Sequence, residues 1–155
     1  MVDVSDKPEV LREAAAVGSI KLRRQTAWLI RQKKVKKGDP LYTAEIAGIM
    51  AAKKTSELIP HCHPLPLTSV KVEANLTSDY SVQVRSTVKT KARTGVEMEA
   101  LMATTVGLLT VWDMVKQYEK DAEGQYPVIV IENIRVEKKI KEGGFSERKH
   151  KGAQG

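Results

Sequence analysis

Apolar and polar positions along this chain change period several times, and the changes divide it into elements. After Asp39-Pro40, Ala44, Ile46, Ala47, Ile49, Met50 and Ala51 recur at helical spacing and run toward Leu58. Lys37-Gly38-Asp39-Pro40 reads as a turn, with Asp39 placed to cap the helix and Pro40 at its first position. Past Pro64 the period becomes two. Val70, Val72, Ala74 and Leu76 alternate with Lys71, Glu73 and Asn75. Thr77-Ser78-Asp79 reads as a turn, and Tyr80, Val82, Val84 and Val88 resume the alternation, which predicts a hairpin with one buried face. After Gly95 the helical period returns through Met98, Leu101, Met102, Thr105, Leu108, Leu109, Trp112 and Val115. Val96, Val106 and Val111 lie off that stripe, so this helix is apolar on more than one side. In so small a domain, part of that burial is expected from another subunit. Val128 to Ile131, then Ile134 and Val136, predict a last strand.

The start is ambiguous. Residues 8–17, Pro-Glu-Val-Leu-Arg-Glu-Ala-Ala-Ala-Val, have helix propensity, with Gly18 as a possible stop. Arg24 to Ile30 also reads as helix. The order helix, hairpin, long helix, strand predicts an α+β fold with helices against an antiparallel sheet. No repeat or linker divides the chain. It reads as one domain over residues 1–144, followed by a mobile basic tail over 145–155.

Composition narrows the classes. The 155 residues are 41% hydrophobic, enough for one real core. The single cysteine excludes an internal disulfide and fits a reducing compartment. The N-terminus has no basic-then-apolar signal pattern, so a cytoplasmic protein is expected. The run Ala100 to Trp112 contains three threonines and is too short to span a bilayer. A net charge of +7, dense in Lys21–Arg24, Arg31–Lys37 and after Arg135, favours anionic partners or a solvated surface. The basic runs lack the interleaved aromatics of a single-strand stacking platform.

Candidate chemistry lies in two segments. Leu58-Ile-Pro-His-Cys-His-Pro64 sets His61, Cys62 and His63 between prolines that resist helix and central strand, so it reads as a rigid presenting loop. Alternate residues of an extended loop face one way, so His61 and His63 could converge on a substrate or a metal. Zinc sites draw ligands from two spaced clusters, and only His150 remains elsewhere. In the long helix, Asp113 and Lys116 stand at i and i+3, as a plain helix salt bridge or an acid–base pair. Glu97 and Glu99 sit at its N-terminal end, where carboxylates complement the dipole. Glu99 and Asp113 are ~21 Å apart on a straight helix, so one small-molecule site can use both only across two subunits or with a long ligand. Lys37, Lys53 and Lys54 could neutralise a polyphosphate. With no Walker-type glycine loop and no Gly-x-Gly-x-x-Gly, side chains would have to hold it.

Taken together, Lys37-Gly-Asp39, Ala51-Ala-Lys-Lys-Thr55, Leu58-Ile-Pro-His-Cys-His-Pro-Leu-Pro-Leu67, Lys91-Ala-Arg-Thr-Gly-Val-Glu-Met-Glu-Ala-Leu101 and Asp113-Met-Val-Lys116 resemble the cyclic pyranopterin monophosphate synthase family, the molybdenum cofactor biosynthesis protein C family. The match runs in order from Met1-Val-Asp-Val-Ser5 to about Gly144. The resemblance implies a lyase that converts 3′,8-cyclo-7,8-dihydroguanosine triphosphate to cyclic pyranopterin monophosphate and releases pyrophosphate. It implies a ferredoxin-like α+β subunit, a hexamer built of dimers with sites at the dimer interface, no metal and no organic cofactor, and neither nucleic acid nor membrane as partner. It makes residues 9–22 a strand, which overrides the helix propensity. By position, Asp113 matches the catalytic acid–base residue, Lys116 its lysine partner and Lys37 a second essential lysine. His61, Cys62 and His63 match the substrate loop, Met98 with Glu99 a second substrate contact, and Lys53 a basic position near the phosphates. The usual Lys-Ser-Gly-Gly-Lys pattern reads Lys141-Glu-Gly-Gly-Phe145 here. Two other classes compete: a small basic nucleic-acid-binding domain, and a metal-binding regulatory module built on His61, Cys62 and His63. Neither explains the acidic residues at both ends of the long helix.

Overall fold

The structure, a computed structural model, describes residues 1–142. The chain runs β1 (Val10–Lys21), α1 (Arg24–Arg31), α2 (Pro40–Lys53), α3 (Thr55–Leu58), β2 (Leu67–Ser78), β3 (Ser81–Ala92), α4 (Glu97–Glu119) and β4 (Val130–Lys141). The four strands form one sheet in the order β2-β3-β1-β4, with every neighbour antiparallel. α2 and α4 pack against the sheet and against each other, which is the expected α+β, ferredoxin-like arrangement. The mobile tail assigned to 145–155, and His150 in it, lie outside the described residues.

The opening segment is strand, not helix. Ala14, Ala16 and Ile20 of β1 are buried beneath α4, and both edges of β1 are hydrogen-bonded, so pairing overrides local helix propensity. Gly18 is a packing position rather than a helix stop: a Cβ there would stand 2.8 Å from Leu108 Cδ1 and 2.9 Å from Ile134 Cγ1. At Gly48 a Cβ would stand 2.8 Å from the Ala103 carbonyl, so the missing side chain lets α2 approach α4.

The α2 start is as read. The Asp39 carboxylate accepts from the Leu41 and Tyr42 N–H groups at 2.9 and 3.2 Å, and Pro40 opens the helix. The apolar stripe expected on α2 is only half buried. Ala44, Ala51 and Ala52 are in the core, whereas Ile46 and Met50 are exposed. The hairpin turn falls later than the Thr77–Asp79 composition suggests. Ser78 pairs with Ser81, so Asp79-Tyr80 make the loop, and Tyr80 leaves the alternation.

β4 keeps no simple period because it bulges twice. β1 pairs Val17 with Arg135 but Ser19 with Glu132, and Asn133 takes φ 58° there. The extra residue flips the face, which is why Ile131 and Ile134, three apart, both reach the core. α4, at 23 residues, extends well beyond Ala100–Trp112 and by length and composition could cross a membrane. Here it is the core helix, with Ala100, Ala103, Leu108, Val111 and Val115 wholly buried.

Candidate active site

The two ends of α4 carry two separate constellations. At the C-terminal end, Asp113 is exposed and doubly paired. Its Oδ1 accepts from Lys116 Nζ at 2.9 Å along the same helix, and its Oδ2 from Lys37 Nζ at 2.9 Å. Lys37 also donates to the Asp113 backbone carbonyl at 2.9 Å. These bonds from Lys116 and Lys37 hold the Asp113 carboxyl below the usual carboxylate range. Asp113 in turn raises the Lys116 ammonium. Sequence spacing foretold the Asp113–Lys116 contact; the arrival of Lys37 from the α1–α2 connection is a product of the fold. Behind the cluster, Trp112 packs on Tyr126 with ring centroids 5.7 Å apart.

At the N-terminal end the rigid loop is as read: residues 60–66 form no strand or helix. Cys62 points its thiol at Glu99, with Sγ 3.7 Å from Oε1. Burial pushes the Cys62 thiol up, and the Glu99 charge pushes it further. Glu99 itself is 3% exposed, and its Oε2 meets no hydrogen-bond partner among the described residues. Burial raises the Glu99 carboxyl as well, with the nearby Glu97 charge adding to it. His63 Nε2 lies 2.8 Å from the Val2 carbonyl. A carbonyl only accepts, so Nε2 carries the proton, and Nδ1 of a neutral ring is left as an acceptor. His61 is exposed on the same loop, and Met98 is 40% exposed on the first turn of α4. Among the described residues no three His, Cys, Asp or Glu side chains gather closely enough to hold a metal ion.

A cavity of about 430 Å³ lies between residues 1–5, His63 and Arg93. Arg93 also lines a second cavity, of about 340 Å³, with Lys7, Arg12, Lys139 and Lys141. Arg12 is fixed by donating to the Ala92 and Arg93 carbonyls at 3.2 and 3.1 Å. Glu97 faces this basic wall. Burial works against its carboxylate, but the 2.6 Å bond from Lys139 and the charges of Lys139 and Arg12 outweigh burial and keep it low. Sequence reasoning assigned no role to Arg12, Arg93 or Lys139. Their signals were faint: Arg93 sits inside a resemblance motif, and Lys139 in a basic run read as surface. Lys53, expected near phosphates, is exposed in the last turn of α2 and lines neither cavity.

The MoaC family matches residues 1–144 of this chain. The chain belongs to the MoaC family. It is similar to a probable cyclic pyranopterin monophosphate synthase of Sulfolobus acidocaldarius, 56% identical over 144 residues, which cover 93% of this chain and 100% of that protein. A probable cyclic pyranopterin monophosphate synthase of Sulfurisphaera tokodaii is 57% identical over 141 residues, 91% of this chain and 93% of the relative. A probable cyclic pyranopterin monophosphate synthase accessory protein of Methanothermobacter thermautotrophicus is also 57% identical over 141 residues, 91% of this chain and 88% of its own.

Proposed function

We propose that this chain is a cyclic pyranopterin monophosphate synthase, a lyase of molybdenum cofactor biosynthesis. Its substrate is 3′,8-cyclo-7,8-dihydroguanosine triphosphate, and its products are cyclic pyranopterin monophosphate and pyrophosphate. The observation that carries this reading, beside family membership, is a carboxylate held by two ammonium groups at one end of α4, with a buried carboxyl, half-unpartnered among the described residues, at the other.

The roles follow from environment. In the open chain Asp113 is a carboxylate and Lys116 an ammonium, so neither is yet tuned for proton transfer at neutral pH. Covering them with substrate removes water, which raises Asp113 and lowers Lys116 toward the range where the pair exchanges protons. Lys37 keeps Asp113 in place and neutralises charge. Glu99, held towards its neutral form by burial, offers a hydroxyl or a carbonyl oxygen to the purine-derived rings, together with Met98, Cys62, His61 and His63. Arg12, Arg93, Lys139 and Lys141 form an anion wall beside His63, which suits a triphosphate whose two terminal groups leave as pyrophosphate. Lys53 supplies further positive charge in this assignment.

α4 is one continuous helix, so Glu99 and Asp113 are ~21 Å apart within a chain. The reading therefore joins the Glu99 end of one protomer to the Asp113 end of its partner, in a dimer-built hexamer. The lone thiol and the biosynthetic role fit the cytoplasm.

The test is to supply authentic substrate and assay pyrophosphate and pyranopterin. Product from the wild type, lost in Asp113→Asn and Lys116→Ala, is the expected result. Turnover within a few fold of wild type in both variants would remove the acid–base assignment. No product from folded wild-type protein would favour a basic nucleic-acid-binding domain, recognisable by a log-linear loss of affinity with salt.

A further inference from the structure

The last turn of α4 carries two side chains that the proposed reaction does not use: Glu119 holds the start of α1, and Tyr118 holds the segment that delivers Lys37. That segment, residues 32–39, connects α1 to α2. It turns through Lys33 at φ 56° and Gly38 at φ 113°, and Val35 anchors it in the core. The Tyr118 hydroxyl accepts the Lys36 N–H at 2.9 Å, one residue before Lys37. Glu119, wholly buried, accepts from the Arg23 N–H at 3.1 Å and from the Thr26 hydroxyl, and so caps the start of α1 from across the fold.

We infer that Tyr118 is a positioning residue for Lys37, its hydroxyl fixing the backbone from which the Lys37 ammonium reaches Asp113. The Lys36 N–H lies in an exposed setting, so water would satisfy it without Tyr118. What the hydroxyl adds is place rather than satisfaction. Tyr118 and Asp113 are five residues apart on one helix, ~7.5 Å of rise. One rigid element thus holds both the backbone behind Lys37 and the two oxygens that receive its ammonium. Without the backbone anchor, a long, rotamer-rich lysine would spread over many positions. The inference rests on the reading above in one respect: that Lys37 and Asp113 serve the reaction.

The test titrates the Asp113 carboxyl carbon by NMR. Lys37 approaches that carboxyl from the connection and Lys116 from its own helix, while Tyr126 faces Lys116. Lys37→Met raises the Asp113 midpoint toward the ordinary carboxylate value. Tyr118→Phe raises it in the same direction, and the double variant goes no further than Lys37→Met. The kcat of Tyr118→Phe falls about fivefold, the scale of one hydrogen bond, and the double variant is no slower than Lys37→Met alone. Glu119→Gln serves as control: it lowers Tm and leaves the Asp113 midpoint in place. An unmoved midpoint in Tyr118→Phe, additive effects with Lys37→Met, or an equal shift in Glu119→Gln would each overturn the inference. Full turnover in Lys37→Met would instead sink the catalytic use of Lys37, with the titration still deciding whether Tyr118 positions it.

Discussion

Glu99 and Asp113 are the same kind of group on the same helix, and the fold drives them in opposite directions. Glu99 is buried beside the Cys62 loop with one oxygen unpartnered among the described residues, and burial favours its neutral form. Asp113 stands in water between two ammonium groups, and hydrogen bonds favour its charged form. Neither state can be inferred from residue type. Two carboxyl groups pushed apart in this way form the kind of pair that lets one site hold a neutral acid and a charged base at one pH.

The contrast can be broken most forcefully at Asp113. Asp113→Asn keeps the shape but removes the charge, and kcat is expected to fall ~10²–10⁴-fold, the usual range for a lost acid–base group. Tm should hardly move, because the group is exposed. A large loss of Tm with modest loss of rate would make the cluster structural. The distance between the two ends is tested by mixing. Asp113→Asn and Glu99→Gln, each inactive alone, should recover about a quarter of wild-type activity when reassembled together, since random pairing of a symmetric dimer restores one of two sites in half the dimers. No recovery would confine the site to one protomer.

The basic wall gives a smaller effect. Arg93→Ala should raise KM about tenfold with kcat nearly unchanged, the signature of lost charge-assisted binding. A kcat defect at constant KM would move Arg93 into the chemistry. The smallest effect is on stability. Because folding raises the Glu99 pKa, its stabilising contribution is complete below the unfolded value and is lost as pH rises through the folded value. Glu99→Gln removes that penalty, so Tm at pH 7 should rise by about 3 °C over wild type, and the gain should vanish toward pH 4. An equal gain at both pH values would mean that Glu99 is charged in the folded protein.

Local chemistry made much of this readable from the chain. Asp39-Pro40 announced the start of α2, because a short side-chain acceptor followed by a missing N–H is a local signal. The alternation of Val70 to Leu76 and of Val82 to Val88 announced a half-buried hairpin, and the multi-sided apolar pattern after Gly95 announced a core helix. Family motifs pointed to candidate site residues and corrected the first segment to strand. What stayed hidden was non-local. Gly18 looked like a helix stop because the Leu108 side chain that needs its empty space lies 90 positions away. β4 hid its faces because two bulges, set by β1, reverse its parity. Arg12, Arg93 and Lys139 looked like ordinary surface charge until β1, β3 and β4 brought them to one cavity.

The sequence by itself therefore determined most of the elements after the first, the α+β class, the family and the Asp113–Lys116 spacing, since each rests on periods and motifs of residues near one another along the chain. Only the tertiary structure decided that Lys37 closes on Asp113 from 76 positions away, that Tyr118 holds the connection behind it, and that Glu99 is buried while Asp113 is not. Those outcomes depend on which distant surfaces exclude water from each group, and solvent exclusion is a property of the packed fold.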